Sequence, residues 1–341
     1  MNNIFSLLSA FILSVILTPL FKSVASQFKI LDQPGKNKIH TRPTPLLGGL
    51  VIYLSFVIVV LISTEEFSVM HKTLLVAGTI IFIFGLIDDI KPLSAVLRLG
   101  VQIVATFLLI QAGTFFTFLP DTVLGKTTEI ILTFVWVVGI TNAFNYLDGL
   151  NGLAVGVTII GAAFFFTFAI ITGQTVLAYL LATFIGACAG FFPYNFFKGK
   201  IFLGNSGSMW IGFMMAGLAI IGDWAPNDPI DLIIPVLIFG IPIFDMILTS
   251  ISRIHNGKIE GVVELLKYRG EDHIHHRLCR LGLGKKKTVI FIYLASVVLS
   301  LCALLLQLSH SSASMVIIMS MTILFFVLIS LLVVGQRTNI K

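Results

Sequence analysis

Charge is what this sequence lacks. Only 11% of its 341 residues are Asp, Glu, Lys or Arg, against 57% hydrophobic residues and a mean hydropathy of +1.02. A water-soluble domain carries about 25% charged residues, so the composition excludes one and marks an integral membrane protein. Cysteine is nearly missing too. Cys188, Cys279 and Cys302 form no CxxC, and two of them lie within apolar stretches, which excludes a disulfide framework and leaves no cysteine-based zinc site. No 20–50-residue period recurs, and the two halves do not match in the way inverted-repeat transporters can show.

What is abundant is apolar sequence in lengths that cross a bilayer core of ~30 Å, at ~20 residues each. The stretches run 4–21, 46–63, 73–89, 96–112, 129–147, 153–172, 174–193, 206–222, 231–251, 288–308 and 313–334. They predict an all-α polytopic membrane protein of about eleven transmembrane helices, in a single domain over 1–341. Counting connections alternately, every Lys and Arg except Lys72 and Lys126 falls on one side. The positive-inside rule then puts the N-terminus outside and the C-terminus in the cytoplasm. The first stretch has no basic residue before it and Lys22 and Lys29 after it, the pattern of a retained anchor rather than a signal peptide. Topology, with attraction to anionic membrane lipid, accounts for the net charge of +6, and no nucleic-acid partner is needed.

The unusual polar residues collect on the basic side. Asp88 and Asp89 end an uncharged run; intramembrane carboxylates are costly, which makes such a pair a functional-site hypothesis. Adjacent carboxylates can bind Mg²⁺, or one can act as a base tuned by the other. Asn142, Asn145 and Asp148, at steps of three, predict one polar helix face, followed by Gly149-Leu150-Asn151-Gly152. Amides at such a span end can coordinate a metal or bind a nucleotide, and three polar groups in one stripe beside Asp-Gly favour that over packing by interhelical amide bonds. The turn Gly204-Asn205-Ser206-Gly207-Ser208 opens a helix whose free N–H groups would suit phosphate. A first loop runs from Asp32 through His40, Arg42, Pro43 and Pro45 to Gly48-Gly49 and could hold an anion. Last, Asp272-His273-Ile274-His275-His276-Arg277 offers imidazoles and a guanidinium to phosphate and sugar hydroxyls. A zinc site lacks support there, because neither cysteine nor HExxH accompanies the histidines.

In this order the motifs resemble those of the polyprenyl-phosphate N-acetylhexosamine-1-phosphate transferases, over nearly the whole chain. The closest likeness is to the branch that starts O-antigen, enterobacterial common antigen or teichoic-acid assembly. The residues that carry it are His40 with Arg42-Pro43-Thr44-Pro45 and Gly48-Gly49, then Asp88-Asp89, then Asn142-Ala143-Phe144-Asn145 with Asp148-Gly149. Phe202-Leu203-Gly204 with Gly207-Ser208, and His273-Ile274-His275-His276-Arg277-Leu278, complete the set. Two positions depart from the family pattern: Asn151 and Asn205 stand where it has Asp, and the second of those is a family metal ligand. An amide there keeps one oxygen but loses the charge, which weakens a site for a hard cation.

The resemblance implies transfer of a sugar 1-phosphate, with N-acetylglucosamine 1-phosphate expected, from a UDP-sugar donor to undecaprenyl phosphate, releasing UMP. The reaction would run at the cytoplasmic face of the inner (plasma) membrane, with Mg²⁺ or Mn²⁺ neutralising the diphosphate. Asp88 or Asp89 would orient or deprotonate the lipid phosphate, with Asp148 as the third catalytic acid. Asn145 and Asn205 would reach the metal. His40, Asn142, Asn145, Asn151, Gly204 and Ser206 are implied as substrate contacts, and His273, His275, His276 and Arg277 as the grip on sugar and phosphate. The resemblance also admits a homodimer. Two other readings stand beside it: a non-catalytic paralogue that binds polyprenyl phosphate or nucleotide sugar, and an ion-coupled transporter, whose charged groups would lie nearer the bilayer midplane.

Overall fold

A computed structural model describes residues 2–34, 43–62, 66–197, 199–224, 230–255, 272–309 and 312–334. The described chain is helical apart from one short antiparallel pair, β1 (Leu31–Asp32) with β2 (Thr44–Pro45), in the register Leu31 to Pro45 and Asp32 to Thr44. It divides into two compact units, Met1–Asp223 and Trp224–Lys341.

The first unit holds α1 (Asn3–Gln27), α2 (Gly48–Leu61), α3 (Val69–Ile90), α4 (Ala95–Gln111), α5 (Val123–Leu147), α6 (Leu153–Ile171), α7 (Thr175–Phe196) and α8 (Gly204–Ile221). Side-chain caps start several of them: Ser68 on α3, Ser94 on α4 and Thr122 on α5 each accept a backbone N–H of the first turn. The second unit holds α9 (Ile230–Ile238), α10 (Gly240–His255), α11 (Ile274–Leu278), a π-helical turn (Cys279–Leu283), α12 (Gly284–Ser309) and α13 (Ser312–Val334). Here α9 and α10 meet at a 74° bend. Pro242 has no N–H to return to the turn before it, which favours the break there.

Among the described residues, seven helices are long and apolar enough to cross a membrane, or eight if the bent pair α9–α10 is one span. The others that align with apolar stretches of the sequence are shorter: α2, α4 and the Ser314–Val327 part of α13. At ~1.5 Å per residue, the 14 residues of α2 reach roughly 21 Å, short of a full bilayer core.

In the first unit, α8 is buried on almost every side. A helix apolar all round belongs in a core, and small residues let its neighbours come close. Gly85 of α3 faces Ser206, Gly49 of α2 faces Gly207, and Gly212 of α8 faces Thr141 of α5. Around the middle of α8, Trp210 sits edge-on to Tyr53, Phe56 and Phe184, and Tyr53 stacks on Phe82 at 3.9 Å. The start of α2 is tied to the residues just before α8. Gly48 N–H donates to Phe202 O (3.0 Å), Gly49 N–H to Leu203 O (2.8 Å), and Phe202 N–H to Pro45 O (2.7 Å). The first loop is thereby sewn to the start of α8.

A methyl group at Gly85 would lie 2.6 Å from Ser206 Cα and 3.0 Å from Asn205 O, both backbone atoms that cannot turn aside. Gly85→Ala should therefore destabilise the protein by about 1–3 kcal/mol, the range for overpacking, seen as a lowered Tm in detergent. An unchanged Tm would mean that α3 and α8 are not packed this closely.

Candidate functional site

The polar groups of the first unit meet where α3 and α5 end and α8 begins. Asp89, in the last turn of α3, points its carboxylate at the start of α8. Its Oδ1 accepts the Asn205 N–H (2.7 Å), and its Oδ2 accepts both the Ser206 N–H (3.0 Å) and the Ser206 hydroxyl (2.6 Å). The acid of one helix thus caps another, satisfying orphan N–H groups and placing negative charge at a positive dipole end. Gly204 makes this approach feasible. Its φ is +76°, and a Cβ there would stand 2.5 Å from Asp89 Oδ2. Gly204 and Ser206, expected as substrate contacts, are buried and spend themselves on Asp89.

Asp88 faces elsewhere. It is 4% exposed, accepts the Leu93 N–H (2.5 Å) and pairs with Arg98 of α4 at 3.2 Å. It pins the turn between α3 and α4. The adjacent acids, read from sequence as one pair, have separate partners because successive helical side chains diverge by ~100°.

The amide stripe divides for the same reason, since steps of three drift ~60° each. Asn142 bonds Gln102 of α4 (Nδ2 to Oε1, 2.7 Å) and Val138 O (2.8 Å), which is the interhelical amide bond. Asn145 turns to α8 instead, and its polarity is set by Ser208. That hydroxyl gives its proton to Gly204 O (3.0 Å), so it accepts from Asn145 Nδ2 (2.9 Å). The second Nδ2 proton goes to Asn205 Oδ1 (3.0 Å). Asn145 therefore keeps a carbonyl oxygen for a ligand, whereas Asn205 keeps an N–H pair. Asn151 is exposed beside Gly199. The nearby Asn195, which sequence reasoning passed over, is buried. It accepts the Gly152 N–H (2.7 Å) and donates to Ile201 O (2.9 Å), joining the turn after α5 to the residues before α8.

Asp148 caps the end of α5. Burial raises its pKa well above the usual carboxylate range, and the negative charges of Asp89 and Asp32 add to the effect. Asp32, named in the sequence only as part of a loop, is thus within electrostatic reach of the site. Its signal was its place just before Pro34-Gly35 in the sequence, which does not reveal that β1–β2 pairing carries it there. Among the described residues, no three acidic, His or Cys side chains close into a complete metal site. Mg²⁺ does not need one; it keeps waters and binds through one or two carboxylates together with substrate phosphates. Asp148, Asp89 and the Asn145 carbonyl are hard oxygen donors in surplus negative charge, and they fit that demand.

The His-rich segment forms its own network in the second unit. Arg253 binds Asp272 through two nitrogens (Nε to Oδ2, 2.9 Å; Nη2 to Oδ1, 2.8 Å). Burial opposes ionisation of Asp272, but this fork outweighs it and holds the carboxyl below its ordinary pKa. His273 lies between Asp245 Oδ2 (2.8 Å from Nδ1) and Arg253 Nη2 (3.3 Å from Nε2). Arg277 donates to Asp272 O (2.5 Å). Asp245 and Arg253 were missed in the sequence, because one is embedded in an apolar run and the other was counted only as a topology charge. His276 is half-buried beside His275. His40, with residues 35–42, lies outside the described residues.

The pattern of glycosyl transferase family 4 matches residues 71–223, from the start of α3 through α8, the stretch that carries Asp88, Asp89, Asn145, Asp148 and Asn205. That match places this chain, with its membrane-length helices, in the class of glycosyl transferases. The chain belongs to glycosyl transferase family 4. It is 32% identical, over 97% of its length and 92% of the relative's, to a probable undecaprenyl-phosphate N-acetylglucosaminyl 1-phosphate transferase of Bacillus subtilis. It is 30% identical to a decaprenyl-phosphate N-acetylglucosaminephosphotransferase of Mycobacterium leprae, covering 84% of this chain and 79% of that one. With the undecaprenyl-phosphate alpha-N-acetylglucosaminyl 1-phosphate transferase of Escherichia coli K12 it shares 25% identity over 94% and 88% of the two chains.

The raised pKa of Asp148 has a stability consequence. Below the unfolded value of ~3.9 both states are protonated and nothing is lost. As pH rises through the raised native pKa, the folded protein must carry a half-buried, repelled charge, and stability falls. In chelator-treated protein, Asp148→Asn should raise the Tm above wild type at pH 8, with the difference shrinking toward pH 4. A variant no more stable than wild type at pH 8 would show that Asp148 is solvated or paired.

Proposed function

We propose that the protein transfers N-acetylglucosamine 1-phosphate from UDP-N-acetylglucosamine to undecaprenyl phosphate at the cytoplasmic face of the plasma membrane, releasing UMP. The observation that carries this reading is the gathering of Asp89, Asp148 and the Asn145 carbonyl at helix ends beside α8, with no activated Ser or Cys among them. Such a site suits a reaction whose nucleophile is brought by the substrate. A lipid phosphate oxygen forms the new bond to the β-phosphorus. The bond from that phosphorus to the bridging oxygen breaks, and its electron pair leaves on UMP. Positioning and electrostatics supply most of the catalysis in such a displacement.

Within that frame Asp89 holds the start of α8 in place, and Arg98, steered by Asp88, adds positive charge at the membrane boundary. The Asn205 N–H pair suits a phosphate oxygen, and the Asn145 carbonyl suits a cation. When bound, Mg²⁺ or Mn²⁺ would supply charge neutralisation for the diphosphate. The His273–Arg277 segment would recognise the donor. The topology that goes with this reading has eleven crossings, with the N-terminus outside. The bent pair makes one of them, and α2, α4 and the Ser314–Val327 part of α13 count as spans although they are shorter. It is supported by the one-sided Lys and Arg distribution. Asn151 and Asn205, in place of family acids, favour a second reading, a paralogue that binds these substrates without turnover.

Labelled UDP-N-acetylglucosamine, undecaprenyl phosphate and Mg²⁺ decide between them. Inside-out vesicles should form labelled lipid and release UMP, and sealed right-side-out vesicles should not. Donor binding without labelled lipid would select the paralogue. Asp89→Asn sets an amide N–H against the α8 N–H groups and removes the charge, so kcat should fall by ~10²-fold or more; a wild-type rate would remove Asp89 from the site. Asn205→Asp would still accept from Asn145 while adding a charge. It should lower the Mg²⁺ concentration for half-maximal transfer and strengthen Mn²⁺ binding followed by electron paramagnetic resonance. Identical metal titrations for the two forms would place Asn205 away from the cation.

A further inference from the structure

His273 is the least available of the histidines in its segment. Both of its ring nitrogens are occupied by protein. A guanidinium can only donate, so Arg253 Nη2 gives a proton to His273 Nε2 at 3.3 Å, and the ring's own proton sits on Nδ1, directed at Asp245 Oδ2 at 2.8 Å. The other Asp245 oxygen accepts the Ile274 N–H at 2.6 Å and takes the Thr249 hydroxyl at 3.4 Å. One buried carboxylate on α10 thus fixes both the ring and the first backbone N–H of α11. Arg253, about two turns further along α10, is held by Asp272 and closes the ring from its other edge.

His275 is the opposite case. It is 1% exposed, and neither of its ring nitrogens has a hydrogen-bond partner among the described residues. It lies parallel to His273, with ring centroids 5.9 Å apart and planes 5° apart, so the orientation of one ring bears on the other. A buried polar group with no partner is costly, and a ligand that completes its bonds would recover that loss.

We propose that Asp245 and Arg253 are positioning residues for donor recognition: they lock His273 from both edges and so present His275 as the imidazole that contacts the nucleotide sugar. The proposal rests on the transferase reading above and divides the roles within it. His273 acts through its neighbour and touches no substrate. His275 makes the contact, to a phosphate or sugar oxygen of the donor. Asp245 contributes to binding only by way of His275.

That last statement separates positioning from a general structural role, and a double-mutant cycle reads it. The affinity of full-length, detergent-purified protein for UDP-N-acetylglucosamine is measured by calorimetry for wild type, Asp245→Ala, His275→Ala and the double variant. Loss of one hydrogen bond to a charged ligand corresponds to about tenfold or more in affinity, so His275→Ala should weaken binding by about that factor. Asp245→Ala should weaken it comparably, and the double variant should be little worse than either single one. If Asp245→Ala does not fold, Asp245→Asn takes its place in the cycle; the Asn carbonyl can still accept from Nδ1, so part of the affinity should return. Unaltered binding by His275→Ala, or losses that multiply in the double variant, would overturn the assignment. Labelled-lipid synthesis by the wild type is measured alongside. Its failure would bring down the transferase reading and this inference together, whereas an active wild type with an additive cycle would overturn only the inference.

Discussion

The carboxylate of Asp89 seated on the first turn of α8 is the contact on which the first unit depends. A helix that starts inside a packed bundle has N–H groups without intrahelical partners, and Asp89 accepts two of them while the Ser206 hydroxyl donates to the same carboxylate. The interaction also explains its surroundings. Gly85 is small because α3 must come within van der Waals contact of Ser206, and Gly204 has no Cβ because Asp89 Oδ2 occupies the place of one. Charge and dipole compensate each other here, so an acid that would be a liability in an apolar run becomes a fixed reference point. Asn145, Asn205 and Ser208 are all placed relative to it.

The two units share a device. In each, a carboxylate on one helix accepts backbone N–H groups of a separate segment that carries ligand-type side chains. Asp89 does so for Asn205 and Ser206, and Asp245 does so for Ile274 while also holding His273. Charge-assisted hydrogen bonds are short and directional, and a low-dielectric interior strengthens them. They hold a polar segment in place where apolar packing alone would leave it free to slide. Once the backbone is pinned, polarity propagates along the side chains. Ser208 decides which end of the Asn145 amide faces α8, and Asn145 decides which end of Asn205 is left over.

Much of this was legible in the sequence. The apolar stretches predicted helices that the structure contains, and Gly-Gly, Asp-Asp and Gly-Asn-Ser-Gly were visible as exceptions in an otherwise uncharged chain. What could not be read was partnership. Asp88 and Asp89 are neighbours in sequence, yet one serves the α3–α4 turn and Arg98 while the other serves α8. Asn142 and Asn145 look alike at a spacing of three, yet one clasps Gln102 and the other reaches Asn205. Asn195 and Asp245 drew no notice because each stands in a largely apolar run, and Arg253 was counted only among the basic residues of its side.

By itself, then, the sequence determined the class of the molecule, its largely helical make-up and the one-sided distribution of its basic residues. These follow from local quantities, because hydropathy, side-chain periodicity and net charge are sums over adjacent residues. Tertiary structure alone decided which acid caps which helix, which amide end faces a ligand and which histidine is spent on the protein. Asp89 and Asn205 stand 116 positions apart. Their hydrogen bond exists only because packed glycines and a sewn first loop bring two helix ends together, and no local pattern records a contact made at that distance along the chain.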